Sequence, residues 1–132
     1  MSIAEARSYQ ERTRLYLANA AGMLRQRRPE KSGEFLWGAM AEALKAVAAL
    51  KETRLRTHAE IRRYARDLSK ERGDDQLSTS FNIAEMLHSN FYEGFSDLAA
   101  VTSHSDRIAE AVERLLSLIP ETDETTPEDT LA

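Results

Sequence analysis

A chain of 132 residues, 42% apolar and 30% charged, has the length and balance of one globular domain, not of a disordered or fibrous chain. It has no cysteine, which excludes disulfides, thiolate zinc sites and Cys nucleophiles. The opening Met-Ser-Ile-Ala-Glu-Ala-Arg lacks the basic-then-apolar run of a leader, and no window holds the roughly 18 apolar residues of a membrane span, so the expected setting is the cytoplasm without membrane contact. The net charge of −4 hides a division. From Pro120 onward Glu121, Asp123, Glu124, Glu128 and Asp129 occur with no Lys or Arg, and without them 18 basic residues stand against 17 acidic ones. The expected organisation is a helical bundle over 1–119 and an acidic disordered tail over 120–132. A stretch of Thr, Glu, Asp and Pro buries too little apolar surface to offset its ordering entropy. The other reading of that tail is a mimic that covers a basic patch.

In chain order, the first helix is expected over about 3–25, with Ser2 as its cap. Tyr9, Thr13, Tyr16, Leu17, Ala20, Met23 and Leu24 recur on one side at the steps of three and four that mark an amphipathic helix. Pro29 ends it, because the residue before proline disfavours helical geometry. A second helix runs from near Lys31-Ser32 to about Leu50 on the stripe Leu36, Met40, Ala43, Leu44, Val47 and Leu50. Thr57-His-Ala-Glu60 is a capping box that opens a third helix over 58–72, with Ile61, Tyr64, Ala65 and Leu68 inward. Gly73 stops it. A fourth spans about 76–93, with Leu77, Phe81, Ala84, Leu87, His88 and Phe91 on its stripe and Gly94 at its end. The fifth starts with Ser96 as cap and Asp97 at the positive end of the dipole, and its seam is Leu98, Val101, Ser105, Ile108, Val112, Leu115 and Ile119. The fold class is therefore all-α, an antiparallel up-down bundle of about five helices. Short connections make successive helices antiparallel neighbours.

Few motifs survive comparison with their structural readings. Glu85-Met-Leu-His88 has the spacing of a di-iron half-site, but a di-iron bundle needs a second copy and two further inward carboxylates. His58-Ala-Glu60 has the zinc-deaminase spacing without the cysteines that chemistry requires, and Glu60 belongs to the capping box. Three histidines, His58, His88 and His104, make no zinc pattern, and no nucleophile elbow, Walker or dinucleotide glycine motif occurs. No metal, no cofactor and no catalytic residue is assigned. His88 lies on an apolar stripe and shares a helix side with Glu85 and Tyr92, so its imidazole either meets a buried partner or lines a cleft. Phe35, Trp37 and Gly38 belong to a belt wider than one stripe requires, which reads either as bundle core or as a dimer face. Two basic clusters, Arg25 to Lys31 and Lys51 to Arg72, read as solvated faces in a near-neutral body.

The runs Lys31-Ser-Gly-Glu-Phe-Leu-Trp-Gly-Ala-Met-Ala-Glu-Ala-Leu-Lys45, Thr57-His58, Gly73-Asp and Ala84-Glu-Met-Leu-His-Ser-Asn-Phe-Tyr-Glu-Gly94 resemble the PaREP family across about residues 5–118. That family is similar to the HEPN superfamily, named for nucleotide binding in higher eukaryotes and prokaryotes. The resemblance implies an up-down helical homodimer that acts as a ribonuclease, a toxin, or an accessory module beside a nucleotidyltransferase. The ribonuclease branch carries an Arg, four to six residues, then a His. Here Arg54 precedes His58 by only three intervening residues, so no catalytic residue carries over. If helices two and four run the same way, Lys45 and His88 fall at comparable heights. His58, Tyr92 and Glu93 then gather at the same end of the bundle. Lys45, His58, His88, Tyr92 and Glu93 are the candidate ligand-binding residues, for a phosphate or nucleotide. The expected function is a non-catalytic HEPN-like module that binds a protein partner, a nucleotide or RNA. A ribonuclease or other hydrolase with a divergent site is the alternative, and a di-iron carboxylate protein the third reading.

Overall fold

The structure, a computed structural model, describes residues 2–93 and 97–121, with side chains over 3–89 and 97–121. Its helices are α1 (Ser2–Arg25), α2 (Pro29–Leu50), α3 (His58–Arg72), α4 (Asp75–Glu93) and α5 (Leu98–Leu116), and no strand occurs among the described residues. The apolar periods account for what is buried. Val101, Ile108, Val112 and Leu115 are buried along α5 and Ile119 just beyond it, Leu77, Phe81, Ala84 and Leu87 along α4, and Ile61, Ala65 and Leu68 along α3. The acidic segment from Thr122 onward, the stop expected at Gly94 and the cap expected at Ser96 lie outside the described residues. Asp97 caps α5 instead, its Oδ1 accepting from the Ala100 N–H at 2.7 Å.

The helix ends follow from local chemistry. α1 closes through Arg27, whose φ of 60° is left-handed, with the N–H groups of Arg27 and Arg28 donating to the carbonyls of Leu24 and Met23. α2 starts at Pro29, two residues earlier than the sequence suggests, because proline tolerates the first helical turn where no N–H is needed. The capping box of α3 forms as expected, and Gly73 at φ 61° ends that helix in the left-handed region. The N–H groups of Arg56 and Thr57 hold the Glu60 carboxyl below its ordinary range.

The breadth of the belt on α2 has an internal cause. α2 is the central helix and packs against the other four. Its alanines at 39, 41, 43, 46, 48 and 49 are buried on all sides, which lets neighbours approach around its circumference. α1 lies antiparallel to α2, pinned by the fully buried Ser32, whose Oγ donates to the Ala20 carbonyl at 2.8 Å. A Cβ on Gly38 would stand 2.9 Å from Cδ2 of Tyr16, so the missing side chain there makes room for that ring. A Cβ on Gly33 would meet the Leu87 Cβ at 3.3 Å, a close approach of α2 to α4 that the missing side chain allows.

One orientation differs from the simple alternation. Gly33 faces Leu87 while Trp37 meets Phe81, so α2 and α4 run antiparallel rather than in the same direction. Trp37 stacks on His58 and Lys51 pairs with Glu71, so α3 runs parallel to α2. The cause is the connection Lys51–Thr57. Leaving the C-terminal end of α2, it returns along the bundle with Leu55 buried as its anchor. Lys51 and Glu52 first turn the chain, Glu52 at φ 57° and the Thr53 N–H donating to the Ala48 carbonyl. Residues 53–57 then reach about 16 Å back along the helix, most of the roughly 20 Å from Leu50 to Trp37. α3 therefore begins beside the first half of α2, at Trp37, and not at its end.

Candidate functional site

Three elements converge at Trp37. On α2, Glu34 and Trp37 are one turn apart on one side. On α4, Glu85 and His88 have the same spacing. His58 is the first residue of α3, held there by the capping box and carried to this height by the returning connection. The His58 ring stacks on the indole with centroids 4.7 Å apart and planes inclined by 16°, and His88 does so at 5.2 Å and 25°. The two imidazoles are 5.8 Å apart, little more than either is from the indole, so both lie on one side of Trp37. Phe81 meets the ring system edge-on at 5.6 Å. Trp37 is buried.

Each imidazole is tied to a carboxylate from another helix. Nδ1 of His88 lies 2.8 Å from Oε1 of Glu34, and Nε2 of His58 lies 2.8 Å from Oε2 of Glu85. Arg62, one turn along α3, closes on the same Glu85 oxygen at 2.6 Å from Nη2 and 2.9 Å from Nε. Burial pushes the Glu85 carboxyl up, but the hydrogen bonds from Arg62 and then His58 outweigh it and hold the group below the usual carboxylate range. An ionised Glu85 only accepts, so the His58 proton sits on Nε2, which leaves Nδ1 as the basic atom of the neutral ring.

Beside His58 opens a cleft of about 420 Å³, lined by Tyr16, Glu34, Phe35, Trp37, Gly38, Ala41, Glu42, Lys45, His58 and Ile61. Its walls are aromatic on one side, where Tyr16 and Phe35 pack at 6.0 Å. On the other side Glu42 bridges two cations, with Nζ of Lys45 at 3.3 Å and Nε of Arg12 at 2.9 Å. Among the lining side chains Lys45 is the cation, beside the carboxylates of Glu42 and Glu34, while Arg12 holds Glu42 from outside the cleft.

The candidate residues are therefore distributed unevenly. His58 and His88 come together. Lys45 lines the same cleft as His58 but lies eight residues beyond Trp37, about 12 Å along α2. Because α2 and α4 are antiparallel, His88 stands level with Glu34 and not with Lys45. The side chains of Tyr92 and Glu93 lie outside the described residues. Phe35, Trp37 and Gly38 all line the cleft, and Trp37 is largely covered by His58, His88 and Phe81 of its own chain, so its burial is accounted for without a second copy. Glu85 and His88 turn to different partners, and among the described residues no group of three His, Asp or Glu side chains is placed to hold a metal. The residues the sequence reading missed are Glu34, Glu42, Arg62 and Tyr16. Glu34 carried a signal, since it stands one turn from Trp37 on a helix apolar almost all round, where a carboxylate needs a partner.

The sequence pattern of the archaeal PaREP1/PaREP8 family matches residues 8–112, and the chain belongs to that family. No curated protein and no solved structure matches it. Among the described residues no helix is long and apolar enough to cross a membrane.

Proposed function

We propose that the chain is a non-catalytic, HEPN-like binding module whose cleft beside His58 takes a nucleotide, free or at an end of RNA. The observation that carries this is the combination of aromatic side chains with Lys45 and His58 as donors in one cleft of about 420 Å³, within the ordinary size of small-molecule sites. Tyr16 and Phe35 offer faces on which a base stacks, a contact worth about 1–3 kcal/mol per base. Lys45 and His58 supply donors to a phosphate, and Glu34 and Glu42 accept from exocyclic amino groups. Calorimetric titration with a nucleoside monophosphate and with a short single-stranded RNA tests the reading. Lys45→Ala and His58→Ala are each expected to weaken binding about tenfold or more, at unchanged helical content; a tenfold loss corresponds to about 1.4 kcal/mol. No binding by the unaltered chain at millimolar nucleotide refutes it.

The ribonuclease reading rests on a different observation, two carboxylate-tied imidazoles 5.8 Å apart. In that reading Nδ1 of His58 takes the proton of a ribose 2′-hydroxyl as the 2′-oxygen attacks phosphorus. The departing 5′-oxygen then receives a proton from a second acid. Cleavage of single-stranded RNA that is lost in His58→Ala establishes it, and intact RNA bound to the chain favours the module.

Self-association and a protein partner such as a nucleotidyltransferase complete the proposal, and both come from the resemblance. With Trp37 covered by its own chain, a second copy would meet α1, where Leu15 is 56% exposed beside Ala18. Light scattering at micromolar concentration is expected to give twice the 14.9 kDa chain mass, falling to a monomer in Leu15→Glu. A monomer before substitution removes the dimer from the proposal.

A further inference from the structure

The cleft beside His58 is ordered along one row of α2. At steps of four, three and four, Glu34, Gly38, Ala41 and Lys45 follow one another on the face that lines it. Gly38 and Ala41 make a low floor between a carboxylate at one end and an ammonium at the other, whose α-carbons stand about 16 Å apart along the helix. Tyr16 and Phe35 rise at the Glu34 end. The Tyr16 ring lies against Gly38, where a Cβ would stand 2.9 Å from it, and Phe35 packs on that ring at 6.0 Å. A flat ligand whose planar part rests by this aromatic pair turns one edge to Glu34 and its far end to Lys45.

The two carboxylates of the cleft differ in what they can still accept. Glu42 is committed at both oxygens, Oε1 to Arg12 at 2.9 Å and Oε2 to Lys45 at 3.3 Å, and its side chain is only 13% exposed. Glu34 is 32% exposed, and His88 meets its Oε1 at 2.8 Å. Among the described residues no hydrogen bond reaches Oε2 of Glu34. A carboxylate has about four lone-pair sites and no proton to give, so Glu34 accepts from further donors and repels acceptors. Of the four RNA bases, guanine alone carries two adjacent donors on its Watson–Crick edge, N1–H and the N2 amino group, which match the two oxygens of one carboxylate. Adenine and cytosine set a ring-nitrogen acceptor beside their amino group, and uracil flanks its one N–H with carbonyls. Each of these three turns an acceptor toward an anion.

We infer that the cleft selects guanine, with Glu34 reading its N1–H and N2 amino group while the phosphate lies toward Lys45. The inference rests on the nucleotide reading of the cleft proposed above, and it adds which base is taken and which residue chooses it. A two-point match between one side chain and one base discriminates by roughly 10- to 100-fold against the wrong base.

Calorimetric titration of the full chain with the monophosphates of guanosine, adenosine, cytidine, uridine and inosine decides it. The guanosine nucleotide is expected to bind about tenfold or more tighter than those of adenosine, cytidine and uridine. The inosine nucleotide, which keeps N1–H and lacks the N2 amino group, should fall between guanosine and adenosine. Glu34→Gln supplies the second arm. Glutamine keeps an oxygen for His88 and replaces the other with an N–H donor, the pattern that the N6 amino group and N1 of adenine match. The adenosine nucleotide should then bind more tightly than the guanosine one, a reversal that misfolding cannot produce. A preference for guanosine that survives Glu34→Gln and disappears in Glu42→Gln overturns the assignment to Glu34. Equal affinities for the four RNA nucleotides in the unaltered chain overturn the selection of guanine and leave the nucleotide reading standing. No binding of any of them at millimolar concentration removes that reading and the inference with it.

Discussion

Phe81→Ala is expected to lower the melting temperature by about 10–20 °C, the largest loss of any single truncation in the bundle. Phe81 is the bulkiest of the fully buried side chains, 2% exposed, and it stands edge-on to Trp37 between α2 and α4. Truncating a buried Phe removes its transfer free energy and leaves a cavity, together about 3–5 kcal/mol. For a domain of this size each kcal/mol is worth about 3–5 °C. The surroundings relax poorly, because the tight approach at Gly33 and Leu87 resists any further closing of the two helices. Phe81→Leu keeps most of the volume and should cost less than about 1.5 kcal/mol. Tryptophan emission supplies a second readout, since the cavity admits water to the indole and shifts its maximum to longer wavelength. A fall of under about 3 °C in Phe81→Ala would show that this residue does not fill the α2–α4 interface.

The elements that strict periodicity described were legible in the sequence. The seam of α5 and the stripe of α4 are buried as their spacing requires, and Thr57 and Gly73 bound α3 through capping chemistry that any reader of the residues can see. Two features were not legible, for one physical reason. The connection Lys51–Thr57 is short enough for an ordinary turn, and no residue in it announces that it runs back along α2 in extended form. Leu55 alone marks it, as an isolated apolar residue that becomes buried. The direction of α3 follows from that run, and with it the register of α4 on α2. The site inherits the same limit. His58 and His88 were recognisable as polar residues in need of partners, and they do meet. Their actual partners, Glu85 and Glu34, depend on helix direction, which one-dimensional spacing does not carry. Lys45 was placed near His88 by the wrong direction, yet it still lines the cleft, because the returning connection brings His58 to the same side of α2.

The two histidines should separate cleanly when each is removed, His88→Ala costing stability and His58→Ala costing binding. The His88 side chain is 25% exposed, lies over the indole and satisfies Glu34, itself 32% exposed. Without the ring, Glu34 keeps a charge in a half-buried position and Trp37 loses part of its cover. Leaving such a group unsatisfied costs about 1–3 kcal/mol, a melting shift of roughly 4–12 °C at this chain length. His58 covers the indole as well, but it differs in two respects. Its side chain is 38% exposed, and its carboxylate partner Glu85 keeps Arg62 at 2.6 Å when the imidazole is gone. Alanine is also well tolerated in a first helical turn, and Thr57 with Glu60 still caps the helix. His58→Ala should therefore shift the melting temperature by less than about 4 °C, while nucleotide affinity falls as proposed above. A thermodynamic cycle of Glu34→Ala with His88→Ala should return a coupling of about 1 kcal/mol, as expected for side chains in direct contact. Equal losses of stability in the two histidine variants, or a cycle with no coupling, would mean that His88 does not hold α2 to α4 and that the division of roles is wrong.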